Sequence, residues 1–447
     1  RFFPGFYKHV IDTMKRIPVA GGKPDETVFD HLVDLSSLRA IGDVKANPVQ
    51  GVLPCRPLWR AFADWVSFLP SFTQVTPGKD DGKPLTGRDL GFFAQRIWRF
   101  WSSCQERREQ DLEGKSWSEF VGADRSEVYN KYLCVGLTRN LVACKAETAS
   151  TLTVGTIGFQ LLADAVKGLF TSTGLDRVLD GPTSRVWIDP WVEHLGSKYG
   201  VVFHTSRELS SIAVSKGASR SVVTSIEMSE TRSPQEHEKA QHEQRCRSKA
   251  DHLARLPVKE ANAALAQEKP PNRETVDADY FVFAIPVEQM NTYVTPEVLS
   301  AAPEWGTLPK LAESVEWMNG VLFYLTEKCE LPTAHTDYLD SDWALTSIFQ
   351  DDDIWPQWEA MRGSDPEIKQ ILSIDVSNWT APCTRGTNEG KSASELKREQ
   401  VVEEVWSQVK ASVEGRTGYK LSDACRKYWF VDDSIQDRVN VRKALTF

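Results

Sequence analysis

The spacing of apolar residues changes several times along this chain. In "FYKHVIDTMKR" (6–16) they fall at Phe6, Val10, Ile11 and Met14, which is helical spacing, and Pro18 and Gly21–Gly22 end the run. Residues 24–90 carry short apolar pieces among Pro, Asp and Gly. From about 88 to 170 the helical period returns. In "DLGFFAQRIWRFWSSCQERREQDL" it predicts one stripe of Phe92, Ile97, Trp98 and Trp101. "SWSEFVG" reads as a turn with Ser116 as a candidate N-cap. "NKYLCVGLTRNLVACKAETAS" and "TVGTIGFQLLADAVKGLF" predict two more apolar helices.

Beyond 174 the texture becomes mixed. "RVWIDPWVEHLGSKYG" predicts a helix with Asp189 at its N-cap, Pro190 in its first turn and Gly200 at its end. "VVFH" and "ELSSIAV" predict short strands, and "SRSVVTSIEM" the return strand of a hairpin. Residues 229–275 are charge-dense and poor in large apolar residues, so they read as a solvated insertion. Tyr280–Ile285 is a continuous apolar run, which predicts a strand buried on both faces of a parallel sheet. "EWMNGVLFYLTEKCEL", "SDWALTSIFQ" and "KQILSIDVSNW" predict further strands. "ASELKREQVVEEVWSQVKASV" predicts an amphipathic helix, with Val401, Val405, Val409 and Val413 four apart.

Composition narrows the function classes. At 447 residues and 41% apolar, the chain can bury a sizeable core in two or three domains. The net charge of −9, with no basic block, argues against a nucleic-acid partner. Eight Cys and eight His are scattered without CxxC, HExxH or zinc spacing, so no metal is expected and a reduced, cytoplasmic setting is the simplest one. No apolar run reaches the length of a membrane span. Fifteen Trp and twenty Phe either fill a core or line a pocket for a flat or long apolar ligand.

Chemical motifs are sparse. "LEGKS" lacks the first glycine of a phosphate loop, because Glu109 stands there. Neither GxGxxG nor GxSxG occurs. Asp351–Asp353 reads as a solvated loop and His204 as a structural histidine. Arg139, set between apolar residues of "GLTRNL", must snorkel or find a partner.

Four stretches, in order, resemble a known family. "RFFPGFYKHVIDTMKRIP" is similar to the segment that lies beside the flavin in FAD-dependent enzymes of the amine-oxidase superfamily, of the phytoene-desaturase-like and hydroxysqualene-dehydroxylase-like type. "DGPTSRVWIDPWVEHLGSKYGVVFHTSRELSSI" resembles the helix and strand that return to the family's FAD domain. "DADYFVFAIP" resembles the strand completing that domain, and "EWMNGVLFYL" the strand leading back to the substrate domain. The family's N-terminal Gly-rich unit and its C-terminal Gly-rich segment have no counterpart here, which suggests a fragment.

The resemblance implies an α/β (α+β) fold: an incomplete FAD-binding Rossmann-like domain plus a substrate domain of antiparallel sheet and helices. It implies a junction segment at 1–20, a helical part at 21–172, a FAD-domain part at 173–290 and substrate-domain sheet and helices at 291–447. The implied activity is FAD-dependent hydride chemistry on an apolar isoprenoid-type substrate, taken from a membrane surface by peripheral contact. The alternatives are an amine oxidase acting on a polar amine and a flavin-free scaffold. The cofactor would touch Phe2, Phe3, Gly5, Leu209, Ala284 and Pro286; the substrate would meet Trp317, Asn319 and Trp343. No residue is singled out as catalytic. Asn319 stands where amine oxidases of the superfamily commonly have a Lys, and an amide cannot supply that cation.

Overall fold

Strands in this chain hydrogen-bond mostly to antiparallel neighbours, and helices cover them. The computed structural model describes residues 3–35, 37–41, 50–54, 86–140, 143–168, 176–205, 207–216, 221–230, 273–315, 318–329, 335–362, 365–414, 420–431, 435–436 and 439–440. Two units emerge, one from Arg1–Gly200 with Glu316–Val441, the other from Val201–Val315. Most of the 229–275 insertion lies outside the described residues.

Twelve strands are named here: β1 (Leu32–Asp34), β2 (Ser37–Ile41), β3 (Gln50–Pro54), β4 (Arg177–Leu179), β5 (Arg207–Lys216), β6 (Ser221–Glu230), β7 (Arg273–Val276), β8 (Asn319–Leu325), β9 (His335–Tyr338), β10 (Leu345–Gln350), β11 (Gln370–Val376) and β12 (Arg426–Val431). The first unit is built on a seven-stranded sheet in the order β12-β8-β11-β10-β9-β2-β3. Its pairs are antiparallel except β2 with β9.

This sheet is covered on both faces. Along β8, Val321, Phe323 and Leu325 point into one core, while Leu322 and Tyr324 pack into a second. The first core is closed by the helix Arg398–Val413, whose Val401, Val402, Val405, Trp406, Val409 and Val413 are all buried, as its spacing predicts. Phe323 meets Trp406 edge-on, with ring centroids 4.9 Å apart. Trp355, Trp358 and Ile368 cover the other face.

Six helices are named here: α1 (Lys8–Lys15), α2 (Gly87–Trp101), α3 (Trp117–Val121), α4 (Thr151–Gly168), α5 (Asp189–Tyr199) and α6 (Arg398–Val413). Ser116 caps α3 as expected, accepting from the Glu119 amide at 3.2 Å. Thr86 and Asp89 form a capping box on α2. The Asp89 carboxyl is held down to about 2, first by its hydrogen bond from Thr86 and then by Arg125.

The predicted α2 stripe is rotated in the structure. Phe93, Ile97 and Phe100 face the core at helical spacing, whereas Trp98 and Trp101 are 63% and 46% exposed. Phe100 reaches inward because Gly155 of α4 gives way; a Cβ there would sit 2.5 Å from its ring. Asp189 does not cap α5, since a wide turn over Ser184–Ile188 runs straight into the helix. Gly200 ends it in the left-handed region, φ 66°.

In the second unit β5-β6-β7 form an antiparallel sheet, and the expected hairpin is present. "VVFH" is exposed, non-strand chain, so His204 is no buried structural residue. Tyr280–Ile285 is also not a strand. Tyr280 and Val282 are 89% and 90% exposed, and no described strand pairs with them. An apolar run becomes a buried strand only where neighbours take up its hydrogen bonds and both faces. No helix among the described residues is long and apolar enough to cross a membrane.

Candidate functional site

The antiparallel register gathers several chain reversals at one end of the seven-stranded sheet. Asn319, which begins β8, lies opposite Val376, which ends β11, and Val376 lies opposite Leu345, which begins β10. The chain leaving β11 runs through Ser377 and Asn378; the chain entering β10 passes Trp343 and Ala344. The Asn378 amide donates to the Trp343 carbonyl at 2.9 Å, and the Trp343 indole N–H donates to the Ala381 carbonyl at 3.2 Å. Two of the three predicted substrate-side residues, Asn319 and Trp343, therefore share this end. Trp317 lies outside the described residues.

A wide i→i+5 helix, Asn130–Asn140, lies on the same end. Lys131 pairs with the buried Asp340 carboxylate at 2.7 Å, just after β9, and the Tyr132 hydroxyl donates to it at 3.3 Å. At the other end of this helix Arg139 is 5% exposed, and its Nη1 donates to the Ser377 carbonyl at 3.4 Å. Arg139 does not snorkel; it is anchored across the fold.

Between this helix and the 378–381 segment lies a cavity of about 290 Å³. Arg139, Lys145 and Glu147 bring charge to it, and Asn378 and Thr380 bring neutral polar groups. Val135, Ala146 and Ala381 supply the apolar part. Two turns near it use alanine in the left-handed region, Ala143 at φ 53° and Ala344 at φ 48°. Such backbone costs an L-residue roughly 1–2 kcal/mol and concentrates where function demands a fixed chain path. Ala143 returns the chain from Arg139 to Lys145, and its amide donates to the Arg139 carbonyl at 3.1 Å.

Behind the cavity wall a buried polar network runs to α6. Gln408 accepts from the Ser341 hydroxyl at 2.8 Å and from the Trp343 amide at 3.4 Å. The Glu404 carboxylate accepts from Gln408 at 3.1 Å and from Asn388 at 2.8 Å. Burial, reinforced by Glu404, pushes the nearby Cys383 thiol up to about 12, so it is no nucleophile at neutral pH.

The cofactor-side candidates are dispersed. Phe3 is buried, packing edge-on against Trp187 at 5.5 Å, and its amide donates to the Arg177 carbonyl at 2.7 Å. Gly5 is half-buried, and Phe2 lies outside the described residues. In the second unit Leu209 sits in β5, its carbonyl accepting from the Tyr293 hydroxyl, while Ala284 and Pro286 are exposed. None of these residues supplies the glycine-rich turn that would hold a pyrophosphate.

The expected acidic loop is only partly solvated. Asp351 is 1% exposed, bonded by Gln370 at 2.8 Å and by the Asp353 amide, and burial raises its pKa. Lys328 pairs with Asp351, Asp352 and Asp353 together.

No protein-family model matches the chain, and no curated protein matches it. Solved structures are similar to it. An oxidoreductase from Methanosarcina mazei is 12% identical, with 92% of this chain aligned to 71% of that one and a TM-score of 0.49. A double mutant of putrescine oxidase is 10% identical, with coverages of 97% and 72% and a TM-score of 0.47. Wild-type putrescine oxidase bound to putrescine is 8% identical, with coverages of 91% and 69% and a TM-score of 0.43.

Proposed function

We propose that the chain is the substrate-binding part, with one edge of the cofactor lobe, of a FAD-dependent oxidoreductase of the amine-oxidase type. Its substrate is a small polar molecule rather than an isoprenoid. One observation carries the choice of substrate: the pocket between the Asn130–Asn140 helix and the 378–381 segment holds about 290 Å³ and is lined by Arg139, Lys145 and Glu147. A polyene would need a long apolar tunnel, and three ionic side chains would be desolvated against it without compensation. The order of the four family-like segments supports the flavin reading, as does the presence of Leu209 and Pro286 in one unit. Bound FAD would accept a hydride from the substrate. The chain's own part is to orient the substrate: Arg139 and Lys145 face its anionic end, and Ala381, held by the Trp343 indole, forms part of the wall.

The test is anaerobic spectroscopy on the full-length protein, with its glycine-rich FAD-binding unit, reconstituted with FAD. We expect oxidised-flavin absorbance that small polar amines bearing an anionic group bleach and that squalene in detergent leaves unchanged. A protein that stays colourless removes the flavin reading; bleaching by squalene alone restores the isoprenoid one.

A further inference from the structure

Helix α2 turns an aromatic pair to solvent. Trp98 and Trp101 meet edge to face with ring centroids 5.3 Å apart, and Trp101 packs on Phe159 of α4 at 5.0 Å. At the helical pitch, Gly91, Ala94, Gln95 and Ser102 share the outward side with them; all four are exposed and none carries charge. Arg88 and Arg99 are three turns apart, within about 20° of each other around the axis, and edge one flank of this side. Both are exposed, and neither pairs with an acidic group among the described residues. Arg108 donates to the Phe100 and Trp101 carbonyls at 3.3 and 2.6 Å, which sets a third cation at the end of the helix. The carboxylates of the following turns are taken up locally: Glu106 by Gln110, Glu109 by Gln105 and Asp111 by Arg107.

A lone exposed indole is ordinary, but two in contact on a charge-free face with a cationic flank select an occupant. A second copy of the chain does not fit. A two-fold contact would bring four arginines into one interface with no carboxylate on either face to answer them. An anionic bilayer answers both features. Indole rings settle at headgroup depth, apolar body toward the acyl chains and N–H toward polar groups. Lipid phosphates match the guanidinium fork. The net charge of −9 opposes this contact only weakly, because charges more than about 8 Å away are screened at physiological salt.

We propose that the outer face of α2 docks on an anionic membrane surface, with Trp98 and Trp101 entering the headgroup layer and Arg88 and Arg99 meeting lipid phosphate. At 15 residues α2 is too short to span a bilayer, so it lies along the surface. This docking goes beyond the flavin reading and does not depend on it.

The experiment is vesicle flotation of the full-length protein, with phosphatidylcholine alone and with phosphatidylcholine carrying roughly a third phosphatidylserine. The protein should float with the mixed vesicles and much less with the neutral ones, and added salt should shrink the difference. Trp98→Gln with Trp101→Gln should abolish flotation on both. Arg88→Gln with Arg99→Gln should weaken binding to the mixed vesicles about 25-fold, about fivefold per cation near the surface, and leave the neutral ones unchanged. Lys8→Gln with Lys23→Gln removes the same charge from exposed positions elsewhere in the first unit and should change binding less than about twofold. All six side chains are exposed, so the fold is spared, which the thermal midpoint checks. The proposal is overturned if the parent stays behind when the mixed vesicles float, if the tryptophan pair or the arginine pair binds like the parent, or if the lysine pair loses as much as the arginine pair. A parent dimer that the tryptophan pair dissociates without vesicles would also overturn it, and would make the face a contact between copies.

Discussion

Two stretches of similar apolar character meet opposite fates in this molecule. "NGVLFYL" forms β8, and every residue from Val321 to Leu325 enters one of two cores. "YFVFAI" at 280–285 lies as unpaired chain with Tyr280 and Val282 almost fully exposed. Composition does not separate them; neighbours do. β8 is flanked by β11 and β12 and roofed by α6. Hydrophobicity states that a segment gains by burial, but the gain is realised only where other chain supplies the cover.

The largest effect should come from breaking the covered stretch and its exposed counterpart in parallel. Phe323→Ala removes a fully buried ring from between the sheet and Trp406 and should cost about 3–5 kcal/mol in urea unfolding. Val282→Thr should change stability by less than about 0.5 kcal/mol. Equal losses for the two would show that 280–285 is covered in solution. A smaller effect is expected from the polar network that ties α6 to the cavity wall. Glu404→Leu strips the acceptor from the Asn388 and Gln408 amides and should cost about 1–3 kcal/mol in urea unfolding. A neutral result would place that network outside the wall's support.

The smallest effect is a pH dependence at the rim of the first unit. His31 Nδ1 lies 2.9 Å from the Asp180 carboxylate, which raises the imidazole pKa above its ordinary 6.5 against the opposing effect of burial. A raised folded-state value means that protonation favours the native state. The contribution is fully present below about pH 6.5 and is lost as pH rises through the folded-state pKa. The unfolding midpoint of the parent should therefore fall relative to His31→Gln as pH rises from 6 to about 8. Parallel pH profiles for the two proteins would show that the pair contributes nothing.

Much of the fold was legible because it is written in local periods. The four-residue valine spacing of α6, the Ser116 cap and the β5–β6 hairpin each depend on residues close in sequence. The rotation of α2 was not legible, because Trp98 and Phe100 are equally apolar and only the packing at Gly155 chooses between them. The candidate site was legible in pieces. Asn319, Trp343 and Arg139 could each be marked, but the bond from Arg139 to Ser377 spans 238 residues. No local pattern encodes such a contact. Lys145 and Glu147 gave no signal at all, and nothing in an alanine announces the backbone reversal at Ala143 or Ala344.

The bond from Gln408 to the Trp343 backbone makes the cavity wall an extension of the helix roof. Because α6 is keyed into the sheet by six buried side chains, that wall has little freedom to yield to a guest. It should keep its shape when a molecule arrives rather than fold around it.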